Sequence, residues 1–147
     1  MATIVWIVTA YLVVDRLGPV PAQGAGEAAQ VRAILQQVLA LVPVLPDKST
    51  ITRVLEATAI AQAQAGDVKG ALQTAAAISS RDIQLYALQN VAAEQAKAGA
   101  EKTALEWISK LPAPDAKAFA LLGAASGLLA RLEAQKPQVA GPKRNAQ

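Results

Sequence analysis

After Leu55 the chain returns to a similar sequence at a constant offset of 33, and that period restricts the folds available to it more than any other feature. Leu55, Ala59, Gln62, Ala65, Gly66 and Ala71-Leu72 are met again as Leu88, Ala92, Gln95, Ala98, Gly99 and Ala104-Leu105. A further step of 33 reaches Leu121, Ala125 and Leu128, a fading third copy. Agreement at alanine is cheap in a chain with 34 alanines among 147 residues. Agreement at glycine, leucine and glutamine is not.

Physical signals recur at the same interval. Ser49, Asp82 and Asp115 are spaced by one period each, and each carries an oxygen able to accept from free N–H groups at a helix start. Gly66 and Gly99 suit helix ends that need a left-handed residue. Pro46, Ser79 and Pro112 mark the opposite end of the unit. The pattern predicts a helical hairpin per unit. First helices are expected over 49–65, 82–98 and 115–133, and second helices over 67–78 and 100–111. Ahead of them, 27–42 has Val31, Ile34, Leu35, Val38 and Leu39 at helical spacing, as for the second helix of an incomplete leading unit. Alanine is the strongest helix former, and its small side chain lets helices approach closely. Ala59, Ala92 and Ala125 are therefore expected at helix contacts, with Leu55, Leu72, Ile78, Leu88, Leu105, Ile108 and Leu121 filling the spaces between. So short a unit buries its apolar stripe only by stacking on neighbours. The fold class predicted is all-α.

Around this region, 25–134, lie two segments of different character. Residues 1–24 form an apolar leader: 2–14 (ATIVWIVTAYLVV) carries no charge before Asp15-Arg16 interrupts it. So short a run falls below a bilayer span but suits a signal-peptide core or a short anchor. Residues 2–20 would then tether the chain to a membrane or be cleaved, and the protein would be periplasmic or membrane-anchored. The alternative is a cytoplasmic protein with a buried N-terminal helix. The tail, 135–147 (QKPQVAGPKRNAQ), is rich in Pro, Gly and polar residues and is expected to be disordered.

With no Cys and no His, the chain has no disulfide framework, thiolate or imidazole zinc site, or Ser-His-Asp or Cys-His mechanism. The net charge of +3 looks like a hint of nucleic acid, yet Lys136, Lys143 and Arg144 of the tail account for it. The other 11 basic residues balance the 11 acids. Lacking a basic face with stacking aromatics, the chain is not expected to bind nucleic acid. Its acids fall at helix starts and on polar faces, as alternating solvated charges do, so neither catalysis nor a cofactor is expected.

The residues between 49 and 130 resemble a tetratricopeptide-type repeat. Residues 88–112 carry the resemblance best, with Leu88, Val91 and Ala92 on the first helix, Ala98-Gly99 at the turn, Ala104-Leu105 on the second helix, then Pro112. Residues 55–72 follow with Leu55, Thr58, Ala59, Gly66-Asp67 and Ala71-Leu72, whereas Gln62, Gln95 and Leu128 stand where the family has a large aromatic. The resemblance implies a right-handed hairpin solenoid of about two and a half repeats with capping helices, and a peptide or protein partner held on the face of the first helices. Carried onto this chain, that face holds Arg53, Glu56, Tyr86, Gln89, Asn90 and Lys97, then Phe119 and Leu122. Asn90 with Lys97 could grip a carboxylate, an amide donor and a cation on nearby turns converging on an anion. The competing reading of that pair is two solvated polar residues, and of Tyr86 and Phe119, interhelix packing. The function expected is a non-catalytic interaction module; the alternative is a structural subunit that self-associates through Ala-rich faces.

Overall fold

In the computed structural model, residues 23–136 are described. Among them every regular element is helical: α1 (Gln23–Leu41), a 3-10 turn (Val42–Val44), α2 (Lys48–Gln64), α3 (Val68–Ala76), α4 (Arg81–Lys97), α5 (Glu101–Lys110) and α6 (Pro114–Ala134). The apolar run at 2–14 and positions 137–147 of the tail lie outside the described residues. Helix α1 begins at Gln23, ahead of Glu27 and inside the span assigned to the leader.

Boundaries and turn hydrogen bonds fall at a constant interval. Helices α2, α4 and α6 start at Lys48, Arg81 and Pro114, each one full period after the last. Gly66 (φ 76°) and Gly99 (φ 86°) adopt the left-handed conformation that follows α2 and α4, where a Cβ would be strained. Across each turn, the Asp67 and Ala100 N–H groups donate to the carbonyls of Gln62 and Gln95. Leu45, Ile78 and Leu111 donate to the carbonyls of Val42, Ala75 and Ile108, closing α1 with its 3-10 turn, α3 and α5 alike.

The expected capping residues are two positions too late. Asp47, not Ser49, caps α2, its carboxylate accepting from the Thr50 N–H at 2.8 Å. Ser80 and Ala113 precede α4 and α6 without a side-chain cap, and Asp82 and Asp115 sit in the first turns. At that depth a carboxylate favours the positive end of the helix by charge rather than by capping. Pro114 explains the bare start of α6, because its missing N–H would have had no partner there. Asp67 caps α3 by accepting from the Gly70 N–H.

Packing proceeds from helix to neighbouring helix. Leu55 and Ala59 of α2 meet Ala75 and Ile78 of the second-helix layer and Leu85 and Leu88 of α4 in one buried cluster. Ala92, Ala96, Ala104, Ile108, Ala120 and Ala124 form another, joining α4, α5 and α6. Helices α4 and α6 approach each other closely. A Cβ on Gly123 would lie 2.7 Å from the Gln89 carbonyl carbon, and one on Gly127 would lie 2.9 Å from that of Ala93. Both contacts advance by one turn on each helix, so α4 and α6 run parallel with their backbones in touch. Two ion pairs fix the ends of α6: Arg81 to Asp115 at 2.6 Å, and Arg131 to Glu101 at 3.0 Å. The Arg32 guanidinium donates to the Ala65 carbonyl at 3.0 Å and ties α1 to the end of α2.

Three of the expected core residues are not in the core. Leu105, Leu121 and Ala125 are exposed, the last two because no described helix covers that side of α6.

Candidate functional site

Parallel first helices bring equivalent positions into rows. One row is Arg53, Tyr86 and Phe119, and the next is Glu56, Gln89 and Leu122, each spaced by the sequence period. Tyr86 is 53% exposed and Phe119 36%, so neither is consumed by interhelix packing. Leu122 is exposed beside them, while Glu56 and Gln89 are half-buried. The Gln89 backbone lies against Gly123 of α6. Arg53 is exposed and opens, with Lys48, Ser49, Thr52, Ser79, Ser80 and Ile83, onto a shallow hollow of about 400 Å³.

Asn90 and Lys97 are engaged separately. The Asn90 amide donates to the Tyr86 carbonyl of its own helix at 2.9 Å. The Lys97 ammonium reaches the Glu94 carboxylate at 3.4 Å, one turn back. An anion drawing on both would have to displace two short-range hydrogen bonds.

A second concavity was not legible in the sequence. Between α3 and α5, over the first half of α4 and the start of α6, a cavity of about 370 Å³ is lined by Leu72, Ala76, Leu88, Trp107, Leu111 and Ala116, with Arg81, Gln84 and Lys110 among its polar neighbours. That volume is at the small end of ligand pockets. Trp107 forms one wall, its indole N–H donating to the Gln95 side-chain oxygen. The same arrangement occurs one period earlier, where the Thr74 hydroxyl donates to Gln62 at 2.7 Å. The sequence signal for both is a glutamine followed by a donor at i+12, repeated once per period.

Three carboxylates are held by local partners. Asp115 is held below the ordinary carboxylate range chiefly by the Arg81 hydrogen bonds, aided by the Ala116 N–H. Glu101 is lowered by its own backbone N–H and by Arg131, and Asp47 by the Thr50 N–H and hydroxyl. Among the described residues, no three carboxylates converge where they could hold a metal ion. The chain matches no family model, no curated protein and no solved structure.

Proposed function

We propose that this chain is a non-catalytic protein-interaction module, a right-handed stack of tetratricopeptide-like hairpins that takes a peptide or protein on the face of its first helices. The observation that supports it most is the row of exposed aromatics, Tyr86 and Phe119, with Leu122 beside them. Large amphipathic side chains held on rigid helices bury much surface at low entropic cost, which is why they dominate binding hot spots. Arg53, Glu56, Gln89, Asn90 and Lys97 would supply the polar rim, Asn90 and Lys97 after release from their local partners. A second reading, a structural subunit assembling through its own helices, is favoured by the exposed leucines of α6.

Attachment to a membrane or export would rest on residues 2–20; among the described residues no helix is long and apolar enough to cross a membrane.

The test is selection of peptides from a displayed random library by the full chain, followed by titration of the winners against variants. Tyr86→Ala with Phe119→Ala should weaken binding roughly tenfold or more. Selected peptides whose affinity is untouched by that pair, and by Asn90→Ala with Lys97→Ala, would reject this face.

A further inference from the structure

The two ends of the helix stack are complementary halves. Helix α6 is a first helix with no described second helix, because Leu132 stands where Gly66 and Gly99 make the turn and α6 runs straight on. The last two turns of α1 occupy the register of a second helix with no described first helix before it. Leu39, Leu72 and Leu105 coincide at one-period steps on α1, α3 and α5, and the closing bonds at Leu45, Ile78 and Leu111 coincide as well.

Each half shows the surface its counterpart would bury. Leu55, Ala59 and Ala63 of α2 are buried, as are Leu88, Ala92 and Ala96 of α4. The equivalents on α6 are Leu121, Ala125 and Leu129, all exposed, with Leu121 at 46% and Leu129 at 61%. Inside the chain each hairpin is joined by a polar pair, the buried pair of Gln62 with Thr74 and the part-buried pair of Gln95 with Trp107. At the free ends both partners change character together. Leu128 stands at the glutamine position of α6, and Leu41, 59% exposed, stands at the donor position of α1. Leu128 packs on one side against the cluster that joins α4, α5 and α6, and an apolar partner such as Leu41 suits it where a polar donor would not. Helix α2 adds a third match: Ala57 and Ala61 occupy the places of Gly123 and Gly127, where parallel first helices touch backbone to backbone. Ala57 is exposed and Ala61 half-buried among the described residues.

We propose that α6 of one copy is covered by α1 and α2 of a second copy, in the register that joins helices within the chain, giving an open-ended head-to-tail assembly. The new contact continues the interface already present between α4 and α6. Leu121, Leu129 and Leu132, each about half exposed or more, form the apolar side of α6 that this contact would bury. Stacked-helix proteins that remain single present a polar outer face at each end, whereas the described outer helices expose Val31, Ile34 and Leu41 on α1 and Leu121, Leu129 and Leu132 on α6. Because the surfaces on the two ends differ, the contact is heterologous and propagates rather than closing on itself. The inference rests on the stacked reading proposed above.

Sedimentation velocity on the full chain over a concentration series should show a mass that grows beyond two copies. Leu129→Glu on α6 and Leu41→Glu on α1 should each return the mass to one copy while circular dichroism stays unchanged. Mixed, the two variants should form a dimer and nothing larger, since each retains one intact end. A wild-type mass of one copy at every concentration overturns the proposal, as does growth that survives Leu41→Glu, which would mean that α6 pairs with itself or with another segment. The absence of native cysteine allows a direct check. Leu128→Cys and Leu41→Cys chains should form a mixed disulfide on oxidation; a dimer of Leu128→Cys alone, with no mixed species, overturns the head-to-tail order. Peptide titrations on the single-copy Leu129→Glu variant report on the Tyr86 face independently, so failure of one reading is distinguishable from failure of the other.

Discussion

The Thr74 hydroxyl donates to the side-chain oxygen of Gln62 across 2.7 Å, and both residues are buried. Among the described residues no buried side-chain polar atom lacks a partner, so this pair is satisfied at the cost of being specific. Thr74→Val should destabilise the fold by about 1–3 kcal/mol, because it strands a buried acceptor. Combining it with Gln62→Leu removes both polar groups and should recover most of that loss. Urea denaturation of the two variants measures the difference; a double variant as unstable as Thr74→Val would show that shape, not hydrogen bonding, governs the position.

Gly123 and Gly127 are needed for a reason of space. Alanine at Gly123 would place a carbon 2.7 Å from the Gln89 carbonyl carbon, a backbone atom that moves only if a helix moves. The expected loss is about 1–3 kcal/mol or more, with α6 displaced from α4. Gly26 is the contrast: a Cβ there meets nothing within 4 Å, and Gly26→Ala in α1 should gain about 0.5–1 kcal/mol. Thermal melts of the two variants should shift in opposite directions.

Gly66 and Gly99 are needed for a reason of conformation. Their φ values of 76° and 86° should make Gly66→Ala and Gly99→Ala each cost about 1–2 kcal/mol. Substitution by Asn, which tolerates the left-handed region, should cost less than Ala at the same site. Equal losses for Asn and Ala would point to the nearby Arg32 and Arg131 guanidinium groups instead.

The Arg81–Asp115 pair gives the fold an acid limit. The folded carboxyl lies below its ordinary value of 3.8, so the unfolded chain takes up the proton more readily. The pair's contribution is complete above the ordinary value and is lost as pH falls through the folded one. At neutral pH an exposed pair of this kind is worth little. Asp115→Asn should therefore change the neutral melting temperature slightly and flatten its decline between about pH 5 and about pH 2. A parallel decline in both proteins would show that other carboxylates, Glu101 and Asp47 among them, set the limit.

Helix identity was legible in the sequence because three independent signals share one period: apolar spacing, glycine turns and proline stops. The bodies of α2 through α6 lie within a few residues of expectation. Caps were not legible, because residue type alone does not say whether an oxygen sits before a helix or within its first turn. Asp47 and Ser49 are equally competent caps in composition, and the chain uses the first. The buried Gln62 and Gln95 were visible only as departures from a familiar aromatic, since their partners lie on the next helix. The row of Tyr86 and Phe119 was legible as a face, but its exposure was not: periodicity assigns a residue to a side of a helix and leaves open whether another helix lies there. The same ambiguity hid the bare side of α6 and made Leu121 and Ala125 look like core.

The constant distance between Lys48, Arg81 and Pro114 also bears on how such a chain could lengthen. Copying the DNA for residues 48–80 in tandem would insert one further pair of helices, whose first helix would follow Ser80 instead of the Asp47 cap and whose second would lead on to Arg81. Neither terminus would notice the insertion. Length would then be inherited in steps of one such unit while the two ends stay unchanged.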